Sequence, residues 1–389
     1  MNISDAIRYV GVDDHEIDLF EGQYVVPSGM AYNSYVILGR THTAVMDTVD
    51  ARYGEAWMRN VEAALGGRGA DYLVIHHMEM DHAAVIAKFL AGHPETKVVA
   101  SAGAFRMMKQ FFGDEYAGRR IVVKEGDVLD LGGHTLQFVA APMVHWPEVM
   151  VSYDAAEKTL FSADGFGKFG ANDVADPEGW DCEARRYYIG IVGKFGAQVQ
   201  ALLKKAAALD IARICPLHGP VLSTAEEIAH AVAQYATWSS YAVESEGVTV
   251  AYTSVYGNTR KVALRLAEIL KAKGCPKVAV SDLARDDQPE AVEDAFRYGA
   301  LVLATTTYNG GIFPWMRHFI DHLVDRDYQR RRVGFIENGS WAPTAAKVMK
   351  EMLSGCKELE FCDPVVTVRS APDATTDAAL SALADALLK

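Results

Sequence analysis

Residues 72–82 read Tyr72-Leu73-Val74-Ile75-His76-His77-Met78-Glu79-Met80-Asp81-His82. The first four are apolar and β-prone, which predicts a buried strand. The last six place four metal-binding side chains, His77, Glu79, Asp81 and His82, at alternating or adjacent positions in the loop that follows. A strand that ends in a loop can aim such residues into one pocket. An imidazole-only pattern would suit zinc, which favours nitrogen and sulfur in tetrahedral sites. Glu79 adds a hard anionic oxygen, and mixed imidazole–carboxylate ligation shifts the expectation towards iron or manganese. Alternation sends His76 to the face opposite His77, so His76 is expected to be structural.

Three further candidates lie downstream. His145 sits in Ala141-Pro142-Met143-Val144-His145-Trp146-Pro147, Asp164 in Leu160-Phe161-Ser162-Ala163-Asp164-Gly165, and His218 in Cys215-Pro216-Leu217-His218-Gly219-Pro220. Each follows a short apolar run and is followed at once or nearly so by Gly or Pro, as a residue at a strand end is. The chain has 12 histidines, and His15, His42, His93, His134 and His230 lack this context.

The second half carries a different signal. Val248-Thr249-Val250-Ala251-Tyr252 runs into Thr253-Ser254-Val255-Tyr256-Gly257-Asn258-Thr259 and then a helical stretch from Arg260. Hydroxyls, a glycine and an asparagine at a strand-to-helix turn make a phosphate cradle, because backbone N–H groups and the helix dipole favour an anion there. The stretch is neither Gly-x-Gly-x-x-Gly nor a nucleoside-triphosphate loop. Two later loops also follow apolar strands: Thr305-Thr306-Thr307-Tyr308-Asn309-Gly310-Gly311 and Glu337-Asn338-Gly339-Ser340-Trp341-Ala342-Pro343. Open α/β sheets bind ligands at such strand ends. Each loop offers a glycine for close approach and an aromatic ring, Tyr308 or Trp341, to cover a flat ligand. The three loops in order resemble flavodoxin and its FMN site, with strands at Lys277–Ser281 and Val365–Arg369 completing a five-stranded parallel sheet of order 2-1-3-4-5.

Taken together, the order His-x-Glu-x-Asp-His, His, Asp, His followed by a flavodoxin-like half resembles the flavodiiron proteins. The resemblance implies an α/β fold: a metallo-β-lactamase-like αββα sandwich over 1–246, then a doubly wound flavodoxin-like domain over 247–389. It implies two non-haem irons, one held by His77, Glu79 and His145, the other by Asp81, His82 and His218, with Asp164 bridging. His82 need not be a direct ligand in every member. The stretch from Asp164 to His218 is somewhat shorter than is usual there. Three carboxylates offset half the charge of two ferric ions, and ligands shared between two metals leave open coordination positions, as a redox site needs.

The 389 residues leave room for two domains, and the formal net charge of −13 excludes a basic nucleic-acid surface. Five cysteines, none in a Cys-x-x-Cys pair, argue for a reducing compartment and against a fused rubredoxin module. No basic-then-apolar leader and no membrane-length apolar run is seen, so a soluble cytoplasmic protein is expected. A ferrous pair with fully reduced FMN holds four electrons, enough to take dioxygen to water; two suffice to couple nitric oxide to nitrous oxide. Both reactions are what the resemblance implies, with rubredoxin or a similar protein as donor and a head-to-tail homodimer or dimer of dimers as the assembly. A zinc hydrolase fused to a flavodoxin is the alternative, which Glu79 disfavours. An electron carrier with a vestigial metal half is another, which the intact ligand set disfavours.

Overall fold

Alternation along the apolar strands builds the first half. Val36, Val45, Leu73, Ile75, Val98 and Ala100 share one core with Trp57, Val61, Phe89 and Leu90 of the neighbouring helices. Their sequence neighbours Ile37, Ala44, Met46, Val74 and Val99 point the other way, into a core with Leu136, Phe138, Met150, Phe161 and Cys215. A period of two therefore gives each strand one face for helices and one for a second sheet. Full burial of each branched or aromatic side chain contributes about 1.5–3 kcal/mol.

The structure is a computed structural model that describes residues 3–389. The first sheet runs Ile7–Tyr9, Tyr35–Leu38, Thr43–Met46, Tyr72–Ile75, Lys97–Ser101, Arg120–Val123 in spatial order. The second runs Val128–Asp130, Thr135–Ala140, Met150–Asp154, Thr159–Phe161, Arg213–Cys215. The helices Gly54–Leu65 and Ala102–Phe112 cover the first sheet; the former buries Trp57 and Val61 and stops at Gly66, whose left-handed φ of 59° suits a glycine C-cap. This is the expected metallo-β-lactamase-like sandwich.

The second half is a parallel sheet ordered Val278–Asp282, Ser245–Tyr252, Tyr298–Tyr308, Arg332–Asn338, then a last strand in two pieces, Glu360–Phe361 and Val366–Val368. The order is the expected 2-1-3-4-5. The end of Tyr298–Tyr308 also folds back on Gly311–Ile312.

The two compact units divide between Ala236 and Thr237, within the helix Ala225–Ser239, whereas the sequence reading places the change between residues 246 and 247. Arg330 donates to Ser240 O at 2.8 Å, and Arg331 to Tyr241 O at 2.7 Å and Ala242 O at 3.1 Å, so residues 240–242 are tied to the second unit.

The helix Pro314–Asp325 carries a determined chain of hydrogen bonds. Arg326 donates to His322 Nδ1 at 2.8 Å, so His322 Nε2 holds the proton and faces His318 Nε2 at 3.2 Å. His318 Nδ1 in turn donates to Gln288 Oε1 at 2.8 Å, and Gln288 Nε2 donates to Leu283 O. Burial, with the Arg326 charge and His318 alongside, pushes the His322 imidazole down to about 4. An unfolded histidine titrates near 6.5, so the unfolded chain takes up the proton first. Stability of this domain should be fully present above about pH 6.5 and fall as the pH drops towards 4. Replacing His322 with glutamine should flatten that decline in denaturant titrations at pH 7 and pH 5; an unchanged slope would exclude His322 as its source.

Candidate metal centre and flavin site

Two groups of side chains gather at the strand ends of the first domain. His77, Glu79, His145 and Asp164 form one; Asp81, His82 and His218 form the other, and within each group the ligand atoms lie within 4.8 Å of one another. His77 and Glu79 follow the strand Tyr72–Ile75, while Asp81 and His82 sit on the short helix Met80–Ala83. Thr48 holds that helix through its N–H and Oγ1, which donate to His82 O at 2.8 and 2.7 Å.

Asp164 stands between the groups. Its Oδ2 lies 3.3 Å from His77 Nε2 and 3.1 Å from His145 Nε2; its Oδ1 lies 3.3 Å from His82 Nε2 and 3.8 Å from His218 Nε2. Glu79 Oε2 closes the first group, 3.2 Å from His77 Nε2 and 3.0 Å from His145 Nε2. Asp81 Oδ2 closes the second, 3.3 Å from His82 Nε2 and 3.2 Å from His218 Nε2.

The electrostatics call for a cation. Both Asp81 oxygens and Asp164 Oδ1 are buried without a hydrogen bond of good geometry, a costly state for a carboxylate. His82 Nε2 and His218 Nε2 approach to 3.0 Å. Burial alone would lower His77, His82 and His145. Against it, the Asp164, Glu148 and Glu79 groups hold His77 well above its ordinary value, Asp81 and Asp164 raise His82, and Asp164 and Glu79 push His145 up to about 9. Burial would raise Glu79 and Asp164 in turn, but the neighbouring imidazoles hold both carboxyls low. Seven donors arranged to attract positive charge are what metal ions need, and the residues fit that group.

Supporting contacts come from residues the sequence reading did not single out. His77 Nδ1 donates to Glu148 Oε1 at 2.9 Å. His218 Nδ1 donates to Ala31 O at 2.8 Å, and its loop is held by Asn33, whose N–H donates to Leu217 O and whose Nδ2 donates to Pro216 O and Gly219 O. His76 points away, as expected: its Nδ1 donates to Asp47 Oδ2 at 2.6 Å and its Nε2 meets Ser152 Oγ at 2.8 Å. Only an acidic residue in an apolar context, Pro147-Glu148-Val149-Met150, could have flagged Glu148 from sequence. Phe20, Tyr32 and Tyr187 pack their rings around His218, with centroids 5.5, 6.0 and 5.5 Å away.

In the second domain a cavity of about 640 Å³ opens at the strand ends. Ser254, Val255, Tyr256, Asn258, Thr259, Thr306, Thr307, Tyr308, Asn309, Gly310, Asn338, Gly339, Ser340 and Trp341 line it, as expected. Thr253 does not. It is fully buried, and its Oγ1 meets Thr305 Oγ1 at 2.6 Å because strand alternation turns it inward. Gly257 supplies shape rather than lining: its φ of 90° precedes the helix Asn258–Ala272 and its N–H donates to Ser254 Oγ. Ala342, Thr344 and Ser370 also line the cavity. Ser370 reaches it through Asn338, whose Oδ1 accepts from Ser370 N at 3.1 Å while its Nδ2 donates to Ser370 O at 3.2 Å. Helix N–H groups at the Ser254–Asn258 turn and the exposed rings of Tyr308 and Trp341, 43% and 89% accessible, on the other two loops fit a flat ring bearing a phosphate.

Gly339 keeps this loop tight. A Cβ there would meet Pro343 Cα at 2.9 Å. Overpacking costs ~1–3 kcal/mol, and if that strain is relieved by moving the loop, Gly339→Ala should weaken flavin binding about tenfold. Fluorescence titration of flavin-free protein with FMN checks this; unchanged affinity would show that the loop does not contact the flavin.

Comparison with known proteins agrees with both halves. Residues 30–219 match the ODP family beta lactamase, and residues 249–360 match a flavodoxin domain. The chain is similar throughout to a solved structure, the rubredoxin oxygen:oxidoreductase of the anaerobe Desulfovibrio gigas, at 27% identity and a TM-score of 0.93 over 100% of this chain and 97% of that one. This chain belongs to the flavodiiron proteins. The rubredoxin-oxygen oxidoreductase of Megalodesulfovibrio gigas is 29% identical over 361 residues, covering 91% of this chain and 89% of that protein. The anaerobic nitric oxide reductase flavorubredoxin of Aliivibrio fischeri is 29% identical over 353 residues, covering 88% and 70%. The flavodiiron protein of Giardia intestinalis, 24% identical, has the same fold at a TM-score of 0.92, over 99% of this chain and 95% of that one. The chain is therefore a flavodiiron-type oxidoreductase that joins a metal-binding domain to an FMN-binding one. No helix among the described residues is long and apolar enough to cross a membrane.

Proposed function

We propose that this flavodiiron protein reduces dioxygen to water, nitric oxide to nitrous oxide, or both, at a centre of two irons per chain supplied with electrons through FMN. The observation that carries the reading is Asp164, whose two oxygens each face a different group of imidazoles. One iron would be held by His77, Glu79 and His145 and the other by Asp81, His82 and His218, with Asp164 shared. Bound there, the iron pair would supply one-electron redox chemistry with open coordination positions, and FMN would supply the reducing equivalents.

The chain's own residues do the rest. The side chains of His77, His82, Asp164 and His218 are at most 1% exposed, whereas Glu79 and Asp81 are 21% and 11% exposed. A small gas would therefore enter on the Glu79–Asp81 side. The rings of Phe20, Tyr32 and Tyr187 keep water from the His218 side. In the second domain the turn at Ser254–Asn258 would take the flavin phosphate, and Tyr308 and Trp341 would cover the ring.

The likeness to a rubredoxin-oxygen oxidoreductase and a flavorubredoxin supports a rubredoxin-like electron donor. It fits a cytoplasmic enzyme whose domains divide functionally at about residue 247. The exposed aromatic rings of the flavin loops are consistent with a head-to-tail homodimer, or a dimer of dimers, in which each flavin faces the partner's metal centre. Iron, zinc and flavin content of the purified protein tests the reading. Two irons and one FMN per chain support it. Zinc without iron would favour hydrolase chemistry, and flavin without metal would favour an electron carrier.

A further inference from the structure

The imidazoles of the metal centre are not backed alike. His218 Nδ1 donates to a neutral carbonyl, Ala31 O at 2.8 Å, and His82 Nδ1 is buried with no hydrogen-bond partner. His77 alone among these three donates to a carboxylate, Glu148 Oε1 at 2.9 Å. Both side chains are essentially buried, at 0% and 1% exposure.

Glu148 is itself held from several directions. Its Oε1 also accepts from Met78 N at 2.9 Å, which ties the carboxylate to the loop that carries Glu79. Its backbone carbonyl accepts from Ser101 Oγ at 3.0 Å, and the same Oγ accepts from Ala104 N to cap the helix Ala102–Phe112. Gly103 lets that helix approach, since a Cβ there would meet Glu148 Cβ at 2.8 Å. The carboxylate is thus built into the scaffold. With Nδ1 as donor, His77 keeps its Nε2 lone pair for the side where Glu79 Oε2 and Asp164 Oδ2 converge.

A carboxylate behind a ligating imidazole orients the ring, sets its tautomer and raises its basicity. We infer that Glu148 is a positioning residue that makes the two metal positions unequal, so that the position formed by His77, Glu79 and His145 binds a divalent metal more tightly than the position formed by Asp81, His82 and His218. The inference rests on the metal-centre reading above. It concerns binding strength rather than turnover, so it is tested without activity.

The test is a cobalt(II) titration of the metal-free full-length protein, followed by the visible bands of the bound ion, for wild type, Glu148→Gln and Glu148→Asp. Wild type should show two binding steps of different strength. Glutamine keeps the shape and an acceptor oxygen but loses the charge. Its tighter step should weaken about 10- to 100-fold, with the weaker step unchanged. Aspartate keeps the charge with a shorter reach, and its tighter step should fall between the other two. Tighter binding in both steps, unchanged binding in both, or equal weakening of both would overturn the proposal. An aspartate variant, folded by circular dichroism, whose tighter step weakens by the full ~100-fold would show that the carboxylate charge is not what matters, and this arm, read against wild type, stands even where the glutamine variant does not fold. A wild-type chain that takes up no cobalt would instead remove the metal-centre reading itself, an outcome distinct from two normal steps that ignore Glu148.

Discussion

Replacing Asp164 with alanine should strip the centre of metal while leaving the flavin in place. The change removes the one carboxylate whose oxygens face both groups, 3.1–3.3 Å from His77, His145 and His82. Taking away one partner of a buried ionic contact costs about 3–5 kcal/mol, which corresponds to metal affinity lower by roughly two to four powers of ten. The core is built by the apolar strands, so far-ultraviolet circular dichroism should be unchanged. FMN content should also hold, because the flavin cavity is lined by the second domain. Iron analysis and flavin absorption of the same sample decide the matter. A variant with full iron and wild-type turnover would show that Asp164 is not shared.

Changing Glu79 to histidine should exchange the metal. The carboxylate oxygen lies 3.0–3.2 Å from two imidazole nitrogens, so a third imidazole there would give a nitrogen-rich group of the kind zinc prefers. After equal exposure to iron and zinc the zinc-to-iron ratio should rise, and gas reduction should fall to background because zinc has no accessible redox chemistry. Retained iron with normal turnover would show that position 79 does not set metal choice.

Much of this candidate centre was legible because its side chains sit near strand ends, where apolar runs and Gly or Pro mark the turns. His77, Glu79, His145, Asp164 and His218 were all readable in that way, and the structure brings them together. The two faces of the first sheet were legible for the same reason: Val36 and Ile37, or Val74 and Ile75, part company by alternation alone. What escaped depends on contacts far apart in the chain. Glu148 meets His77 across 71 residues and Asn33 meets Gly219 across 186, and no local pattern marks either pair. Ser370 enters the flavin cavity through hydrogen bonds with Asn338 and Ser340, 32 and 30 residues away in the chain. Thr253 was included because hydroxyls at a strand-to-helix turn suggest a phosphate cradle; side-chain alternation instead points it at Thr305. Arg330 and Arg331 reach back 90 residues to Ser240 and Tyr241, a tie that a local composition change cannot reveal.

The most direct test of the central claim is rapid mixing of the anaerobically reduced protein with dioxygen and, separately, with nitric oxide, following the return of oxidised flavin absorption. Wild type should reoxidise rapidly with at least one gas, and Asp164→Ala, with its flavin intact, should reoxidise far more slowly with that same gas. Equal rates in the two proteins would contradict the account, because electrons would then leave the flavin without passing through the metal centre.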